Sequence, residues 1–190
     1  EKGYNVLATG EMGIGNTTTS SAVCSVLLDQ SVEKVTGKGA GLTNKDLEHK
    51  IEVIRQSIAL NKVNADDPLD VLAKVGGLDI AGMAGCYIGG AALNIPVFID
   101  GFISSVAALI AIRLVPECAP YLFPSHCSNE PAGHLILDAI GKEPYILANM
   151  CLGEGTGAVM GFTIADYAFK AYWELPSFEQ TNFGTYEELN

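Results

Sequence analysis

Apolar runs of strand length alternate with segments of helical period along most of the chain. The strand-like runs occupy residues 4–9, 96–100, 121–123 and 144–152. Between them, apolar residues recur every three or four positions, as at Leu47, Ile51, Ile54 and Ile58, which is the stripe of an amphipathic helix. Strands separated by helical crossovers predict an α/β fold: a mostly parallel sheet with helices on both faces, Rossmann-like with three layers, plus a small helical appendage.

Capping residues and glycines define where several helices begin and end. Thr43 opens a sequence that resembles a capping box, and Asp67-Pro68 starts a short helix that Gly76-Gly77 ends. Asn16 or Thr17 is expected to cap the first helix with its side chain. Later helices are predicted at residues 104–114, 130–140 and 156–172.

Small residues crowd the segment 80–93, which has glycine at positions 82, 85, 89 and 90. A helix so rich in small residues either packs tightly against a neighbouring helix or lets a ligand or another backbone approach closely. The sequence leaves both interpretations open.

The amino-acid composition excludes some classes of binding partner. The 190 residues are 48% hydrophobic and 17% charged, with a formal net charge of −11. No nucleic-acid partner is expected, because phosphate backbones are bound by clustered Lys and Arg. The apolar, uncharged stretch at residues 101–112 is too short to cross a bilayer, so no membrane span is predicted.

The cysteines indicate a reducing compartment. There are five, an odd number, widely spaced and without a C-x-x-C pair, which predicts reduced, mostly buried thiols and a cytoplasmic location. A metal site built from Cys118, His126, Cys127 and His134 fits no zinc spacing well, so no metal is expected.

Two glycine-rich loops, each carrying one glutamate, follow strand-like runs and precede helices. The first is Gly10-Glu11-Met12-Gly13-Ile14-Gly15-Asn16, and the second is Gly153-Glu154-Gly155-Thr156-Gly157. Both preceding runs are predicted to be buried strands, which places the loops at the carboxyl edge of the sheet, where α/β folds bind ligands. Two carboxylates beside helix N-termini suit a site that holds a phosphate and moves a proton.

The first loop matches neither of the common nucleotide motifs. It lacks the lysine of a Walker A loop, and its glycine order, G-x-x-G-x-G, is the reverse of the dinucleotide fingerprint. Glu33 nevertheless lies where that fold places a ribose-binding acid, so a dinucleotide-dependent oxidoreductase stays open as an alternative. The first loop nevertheless presents backbone N–H groups and threonine hydroxyls at a helix N-terminus, and these groups together form a phosphate cradle.

Several motifs taken together resemble the nicotinate-nucleotide:dimethylbenzimidazole phosphoribosyltransferase family. They are residues 10–18, 37–41, Lys50, residues 125–131 and residues 152–158, in the family's order over nearly the whole chain. That family transfers phosphoribose from nicotinate mononucleotide to 5,6-dimethylbenzimidazole. The products are nicotinate and α-ribazole 5′-phosphate, which becomes part of the lower ligand of cobalamin.

The resemblance implies roles for individual residues. Glu154 is expected to be the base that removes the benzimidazole N–H proton, and Glu11 to stabilise an oxocarbenium-like transition state. Asp100, at the end of a strand, is either a site residue or an acidic helix cap. The other expected substrate-binding residues are Gly13, Ile14, Gly15, Asn16, Thr17, Gly39, Gly41, Lys50, Ser128, Leu152 and Gly153. The first five of these, with Lys50 and Ser128, are expected around the phosphate, whereas His126 and His134 are assigned to capping and packing.

The resemblance also implies an organisation for the protein. Residues 1–172 are expected to form the phosphoribosyltransferase core and residues 173–190 an acidic tail. The resemblance further implies that the family's N-terminal segment, which is expected to supply part of the benzimidazole pocket, precedes the point at which this sequence begins. The expected partners are nicotinate mononucleotide, a benzimidazole-type base and a second copy in a homodimer, with no cofactor. The alternative is a non-catalytic nucleotide-binding subunit or fragment that needs a partner chain.

Overall fold

The computed structural model describes residues 3–181 of the chain as an α/β structure. Its strands are β1 (Leu7–Ala8), β2 (Val97–Ile99), β3 (Leu122–Pro124), β4 (His126–Ser128) and β5 (Ile146–Met150). Its helices are α1 (Thr17–Leu27), α2 (Val32–Val35), α3 (Asn44–Asn61), α4 (Pro68–Val75), α5 (Leu78–Ala92), α6 (Phe102–Leu114), α7 (Gly133–Ala139) and α8 (Thr156–Glu174), with a 3-10 helix at Pro116–Tyr121.

All strand pairs are parallel, as predicted, but they are divided between two small sheets. One has the order β1-β2-β3 and the other contains β4 and β5. Ser125 joins the two sheets: its N–H donates to the Ile99 carbonyl and its own carbonyl accepts from the Ile146 N–H, both at 3.0 Å. The predicted α/β class is therefore confirmed, and the parallel strands continue from one sheet to the other through a single residue.

Helices cover both faces of the central strand β2. On one face Phe98 makes an edge-to-face contact with Phe162 of α8, with ring centroids 5.0 Å apart. On the other face Val97 lies directly against Gly90 of α5. Alternate side chains of a strand point to opposite faces, so α5 and α8 lie on opposite sides of the sheet. This is the three-layer arrangement that the sequence predicted.

One hydrophobic core extends through the helices. Ten residues of α6, from Phe102 to Ala111, are buried, and the same core includes Val23 of α1, Ile54 of α3 and Val71 of α4. Helices α3 and α4 pack against α1 and against each other. The helices between β1 and β2 thus belong to the main core and do not form a separate appendage.

The strands that precede the two glutamate loops are more exposed than predicted. Leu7 is half-buried and Ala8 exposed in β1, and Leu147 in the middle of β5 is 76% exposed. Each is the edge strand of a small sheet, with a hydrogen-bonded neighbour on one side. The prediction of two buried strands was wrong, because an apolar run alone does not tell an edge strand from a central one.

Helix ends follow the sequence at α3 and α4 but not at α1. Thr43 accepts the Asp46 N–H at 3.2 Å, and Asp67 accepts the N–H groups of Leu69 and Asp70 at 3.0 and 3.3 Å. Helix α1 begins at Thr17 as predicted, yet Asn16 makes no side-chain cap. The amide of Asn16 is committed elsewhere in the site described below.

Three of the four glycines of α5 do not pack tightly within residues 3–181. A Cβ atom at Gly82, Gly85 or Gly89 would meet nothing within 4 Å, whereas one at Gly90 would overlap Val97.

None of the helices in the described part of the chain is long and apolar enough to cross a membrane. Helix α8 ends at Glu174, and residues 182–190 of the predicted tail lie outside the described residues.

Candidate active site

The two glutamate loops are in direct contact. The N–H of Glu154 donates to the carbonyl of Glu11 at 3.0 Å, and a Cβ atom at Gly10 would overlap the backbone of Gly155. A side chain at position 10 would therefore push the loops apart. The sequence prediction that these loops lie together at one edge of the fold is confirmed.

Asp100 holds the second loop in place. Its carboxylate accepts three backbone N–H groups at the start of α8, from Gly155 at 2.9 Å, Gly157 at 2.8 Å and Ala158 at 3.2 Å. The residue is 2% exposed, and its negative charge lies at the positive end of the helix dipole. Asp100 is thus the acidic helix cap that the sequence left open, supplied by the residue that follows β2 rather than by the helix's own N-cap residue, Gly155.

The carboxylate of Glu11 is held by its own loop. It accepts the Gly13 N–H at 2.7 Å and the side-chain amide of Asn16, and that amide also donates to Asp79 at 2.8 Å. The side-chain oxygen of Asn16, which would be the acceptor in a helix cap, is buried without a hydrogen-bond partner among the described residues. The Glu11 carboxylate also occupies the N–H of Gly13, which was expected to face a phosphate. This N–H is free to bind a ligand only if the Glu11 side chain turns away.

Lys50 reaches the site through Thr17. It is 7% exposed, and its ammonium donates to the Thr17 hydroxyl at 2.8 Å and to the Gly37 carbonyl at 3.0 Å. Burial lowers the pKa of Lys50, and the negative charge of Glu130 partly offsets this effect. A buried cation next to the first turn of α1 is the local positive charge that a phosphate site in an acidic protein requires.

A cleft of about 120 Å³ lies beside the two loops. Eight of the predicted site residues line it: Glu11, Gly13, Thr17, Gly39, Asp100, Ser128, Leu152 and Gly153. Six do not: Ile14, Gly15, Asn16, Gly41, Lys50 and Glu154. Of these six, Lys50, Asn16 and Glu154 touch residues that do, while Ile14, Gly15 and Gly41 are exposed.

Glu154 lines a second, more open groove that adjoins the cleft. This groove also contains Glu11 and Met12, together with Thr9, Gly155 and Val159. Because Glu11 and Met12 line both depressions, they form the wall between them, and Glu154 lies on the groove side of that wall. A ligand in the cleft and another in the groove would meet at this wall.

His126 and Glu130 also line the cleft, although the sequence assigned His126 to capping and packing and gave Glu130 no role of its own. Burial lowers the pKa of His126, and the negative charge of Asp100 opposes the shift. One carboxylate oxygen of Glu130 is buried without a hydrogen-bond partner among the described residues. The available signal was the polar run of residues 125–130, which follows an apolar strand directly.

The acidic residue on which the dinucleotide-dependent oxidoreductase alternative depended lies outside the cleft. Glu33 forms an exposed ion pair with Arg55 of α3 and does not line the cleft. Within residues 3–181, no three His, Cys, Asp or Glu side chains are grouped closely enough to hold a metal ion.

Comparison with known proteins identifies close relatives. A family model described as phosphoribosyltransferase matches residues 1–183. The nicotinate-nucleotide–dimethylbenzimidazole phosphoribosyltransferase of Ruminiclostridium cellulolyticum is 53% identical over 189 residues, covering 100% of this chain and 54% of that protein. The protein of the same name from Clostridium acetobutylicum is 49% identical, with the same coverage.

A solved structure agrees with these sequence matches. The crystal structure of CobT from Thermus thermophilus superposes with a TM-score of 0.89 at 33% identity, covering 96% of this chain and 54% of that one. The chain thus spans about half the length of the relatives it matches.

Proposed function

Because the chain belongs to the DBI_PRT family of phosphoribosyltransferases, we propose that it transfers phosphoribose from nicotinate mononucleotide to 5,6-dimethylbenzimidazole or a related base. The products are nicotinate and α-ribazole 5′-phosphate, a precursor of the lower ligand of cobalamin. The observation that supports this most is the contact between the two glutamate loops beside one cleft, where the Glu154 N–H meets the Glu11 carbonyl at 3.0 Å.

Glu154 acts as the base in this proposal. Its side chain is exposed on the groove next to the cleft, and among the described residues its carboxylate has no hydrogen-bond partner. It removes the N–H proton of the benzimidazole while the ring nitrogen bonds to the anomeric carbon. The bond to nicotinate breaks at the same time, and its electron pair neutralises the pyridinium nitrogen.

Glu11 stabilises the positive charge that develops on the ribose. Its carboxylate is fixed by the Gly13 N–H at 2.7 Å and by the Asn16 amide, so it needs no reorganisation when charge appears. The phosphate lies near the start of α1, where Thr17, Ser128 and Gly39 line the cleft. The Lys50 ammonium supports it through the Thr17 hydroxyl.

The test is a turnover assay that follows release of nicotinate with and without 5,6-dimethylbenzimidazole. Glu154→Gln removes the base and keeps the shape of the side chain, so we expect turnover to fall about 100-fold or more, with binding of nicotinate mononucleotide unchanged. Glu48→Gln, an identical change at an exposed position of α3, is the matched control. Near-normal turnover in Glu154→Gln would show that this residue is not the base.

A second candidate is a nucleotide-binding subunit that needs a partner chain for catalysis. It is favoured by one observation: α8 carries exposed apolar side chains, including Tyr167, Phe169 and Trp173, of the kind that another protein surface normally covers. This candidate predicts that the chain binds nicotinate mononucleotide but releases no nicotinate when the base is added. The same assay, run together with calorimetric titration of the nucleotide, separates the two candidates.

The proposal also covers the oligomeric state, the cellular location, the partners and the domain organisation of the chain. A homodimer is supported by the exposed apolar side chains of α8, which include Tyr167, Tyr172 and Trp173. A cytoplasmic location is supported by five free cysteines, and the absence of a nucleic-acid partner by the net charge of −11. We also propose that residues 1–172 form the core and residues 173–190 a tail, although α8 runs to Glu174.

A further inference from the structure

His126 is a cleft residue to which the proposed mechanism gives no task. It is the first residue of β4, is 2% exposed and lines the cleft with Glu11, Asp100 and Ser128. Buried polar groups are almost always hydrogen-bonded. The hydrogen bonds available to each ring nitrogen therefore indicate what this side chain can bind.

Glycines on two elements fix the position of the imidazole. A Cβ atom at Gly157, in the first turn of α8, would overlap the ring on its Nδ1 side. A Cβ atom at Gly101 would lie 3.4 Å from Nε2. The ring is thus held between the start of α8 and the residue that follows Asp100, with its orientation set by packing.

The partner of Nδ1 determines which nitrogen carries the proton. Ser125 Oγ lies 3.2 Å from Nδ1, but its single hydrogen is directed to the Ile99 carbonyl, 2.7 Å away. The serine oxygen must then accept from Nδ1–H. In the neutral ring this leaves Nε2 with a lone pair and no proton.

Nε2 has no hydrogen-bond partner among residues 3–181. Burial lowers the pKa of His126, which favours the neutral ring, and the negative charge of Asp100, which follows β2, acts in the opposite direction. The other charged groups around the cleft are Glu11 and Glu130. The carboxylate of Asp100 is already engaged by three backbone N–H groups, so the imidazole presents an unused acceptor to the cleft.

The proposed substrate nicotinate mononucleotide has only one kind of hydrogen-bond donor that could pair with Nε2. Nicotinate mononucleotide has a carboxylate and a phosphate, which are acceptors when ionised, and a pyridinium nitrogen without N–H. Its hydrogen-bond donors near neutral pH are the two ribose hydroxyls. An unpaired acceptor that faces a bound nucleotide therefore matches the sugar and not the ring or the phosphate.

We infer that Nε2 of His126 accepts a hydrogen bond from a ribose hydroxyl of the nucleotide, which makes His126 a specificity-determining residue for ribose over deoxyribose. This inference rests on the proposed function for the identity of the nucleotide. It predicts that a nucleotide lacking the hydroxyl leaves Nε2 unpaired and binds more weakly.

The test compares binding of nicotinate mononucleotide with binding of its 2′-deoxy and 3′-deoxy analogues by calorimetry. The wild-type protein should bind one analogue about tenfold more weakly than the parent, the effect of losing one buried hydrogen bond. His126→Phe should lose this preference, and His126→Gln should retain part of it because the amide oxygen can replace Nε2. The matched controls are His134→Phe and His134→Gln, at an exposed position of α7, which should leave the preference unchanged.

A measurement on the unaltered protein covers the case in which His126→Phe does not fold. The ¹⁵N resonance of Nε2 in labelled wild-type protein should shift when nicotinate mononucleotide binds, and shift less with the discriminated analogue. Equal affinities for all three nucleotides, or an unchanged preference in folded His126→Phe, would overturn the inference and leave the transferase proposal standing. If the wild-type protein does not bind nicotinate mononucleotide, both fall. Binding without turnover refutes only the transferase proposal.

Discussion

Glu154 has a backbone conformation that glycine usually occupies. Its φ is 58°, between Gly153 at 76° and Gly155 at 78°, so three successive residues lie in the left-handed region. A residue with a Cβ atom is strained there by about 1 kcal/mol. A glutamate at this position therefore lowers stability, which is a pattern typical of functional residues.

This strain gives a prediction that separates stability from activity. Glu154→Gly should unfold with a free energy about 1 kcal/mol higher than Glu154→Ala, because only glycine relieves the positive φ. Both variants should be equally inactive in transfer. Urea denaturation of the two proteins measures the difference, and equal stabilities would show that the loop relaxes without strain.

His126 should make stability depend on pH in the acid range. Burial lowers its pKa in the folded protein, so below the unfolded value of about 6.5 the unfolded chain binds the proton more tightly. The stability contributed by the neutral, buried His126 is fully present above this unfolded pKa of about 6.5 and is lost as the pH falls below it. The free energy of unfolding of wild-type protein should thus decrease relative to that of His126→Phe between about pH 7 and pH 5. Parallel curves for the two proteins would contradict the direction of the shift.

At the scale of elements, local chemistry was predictable and strand neighbours were not. The caps of α3 and α4 follow from Thr43 and Asp67, whose side chains bond within their own helices. Strand β4 was missed since its three residues, His126 to Ser128, form too short a run to show strand alternation, and it pairs with β5 in a separate sheet. The same holds for the site: residues 10–16 and 153–157 were recognised by composition, but the contacts of Asp100 and His126 depend on which elements pack together.

Two glycines of different elements should respond in opposite ways to the same substitution. Gly10→Ala places a methyl group in the backbone of Gly155 and should lower stability by about 1–3 kcal/mol while separating the glutamate loops. Gly85→Ala in α5 meets nothing within 4 Å and should raise stability by about 0.5–1 kcal/mol. Thermal unfolding of both variants tests this. A loss of stability in Gly85→Ala would reveal another surface packed on α5.

At the scale of the whole molecule, the latter part of α8 has little to pack against within residues 3–181. Every residue from Asp166 to Glu174 is exposed, including Tyr167 at 69%, Phe169 at 61% and Trp173 at 76%. Apolar clusters of this kind are normally covered by another surface. The sequence pattern alone could not predict this, because the apolar residues of α8 look the same whether their partner is this chain or another.

The chain has a single tryptophan, and it lies on this helix. If a second copy covers α8, the emission of Trp173 should shift to shorter wavelength as protein concentration rises and should become less accessible to iodide. Phe169→Asp, an exposed position on the same helix, should abolish the concentration dependence without affecting the core. Emission that is independent of concentration from nanomolar to high micromolar protein would argue against a homodimer through α8.

The hydrogen bond between Glu154 and Glu11 has a consequence for the order in which the molecule assembles. Its donor and acceptor lie far apart along the chain, and closing so long a loop costs entropy, so we expect it to form late in folding. The Glu154 amide is therefore a single-residue probe of completion. Its deuterium uptake should remain fast in any folding intermediate, even one with a finished core, and slow down only when the two glutamate loops meet.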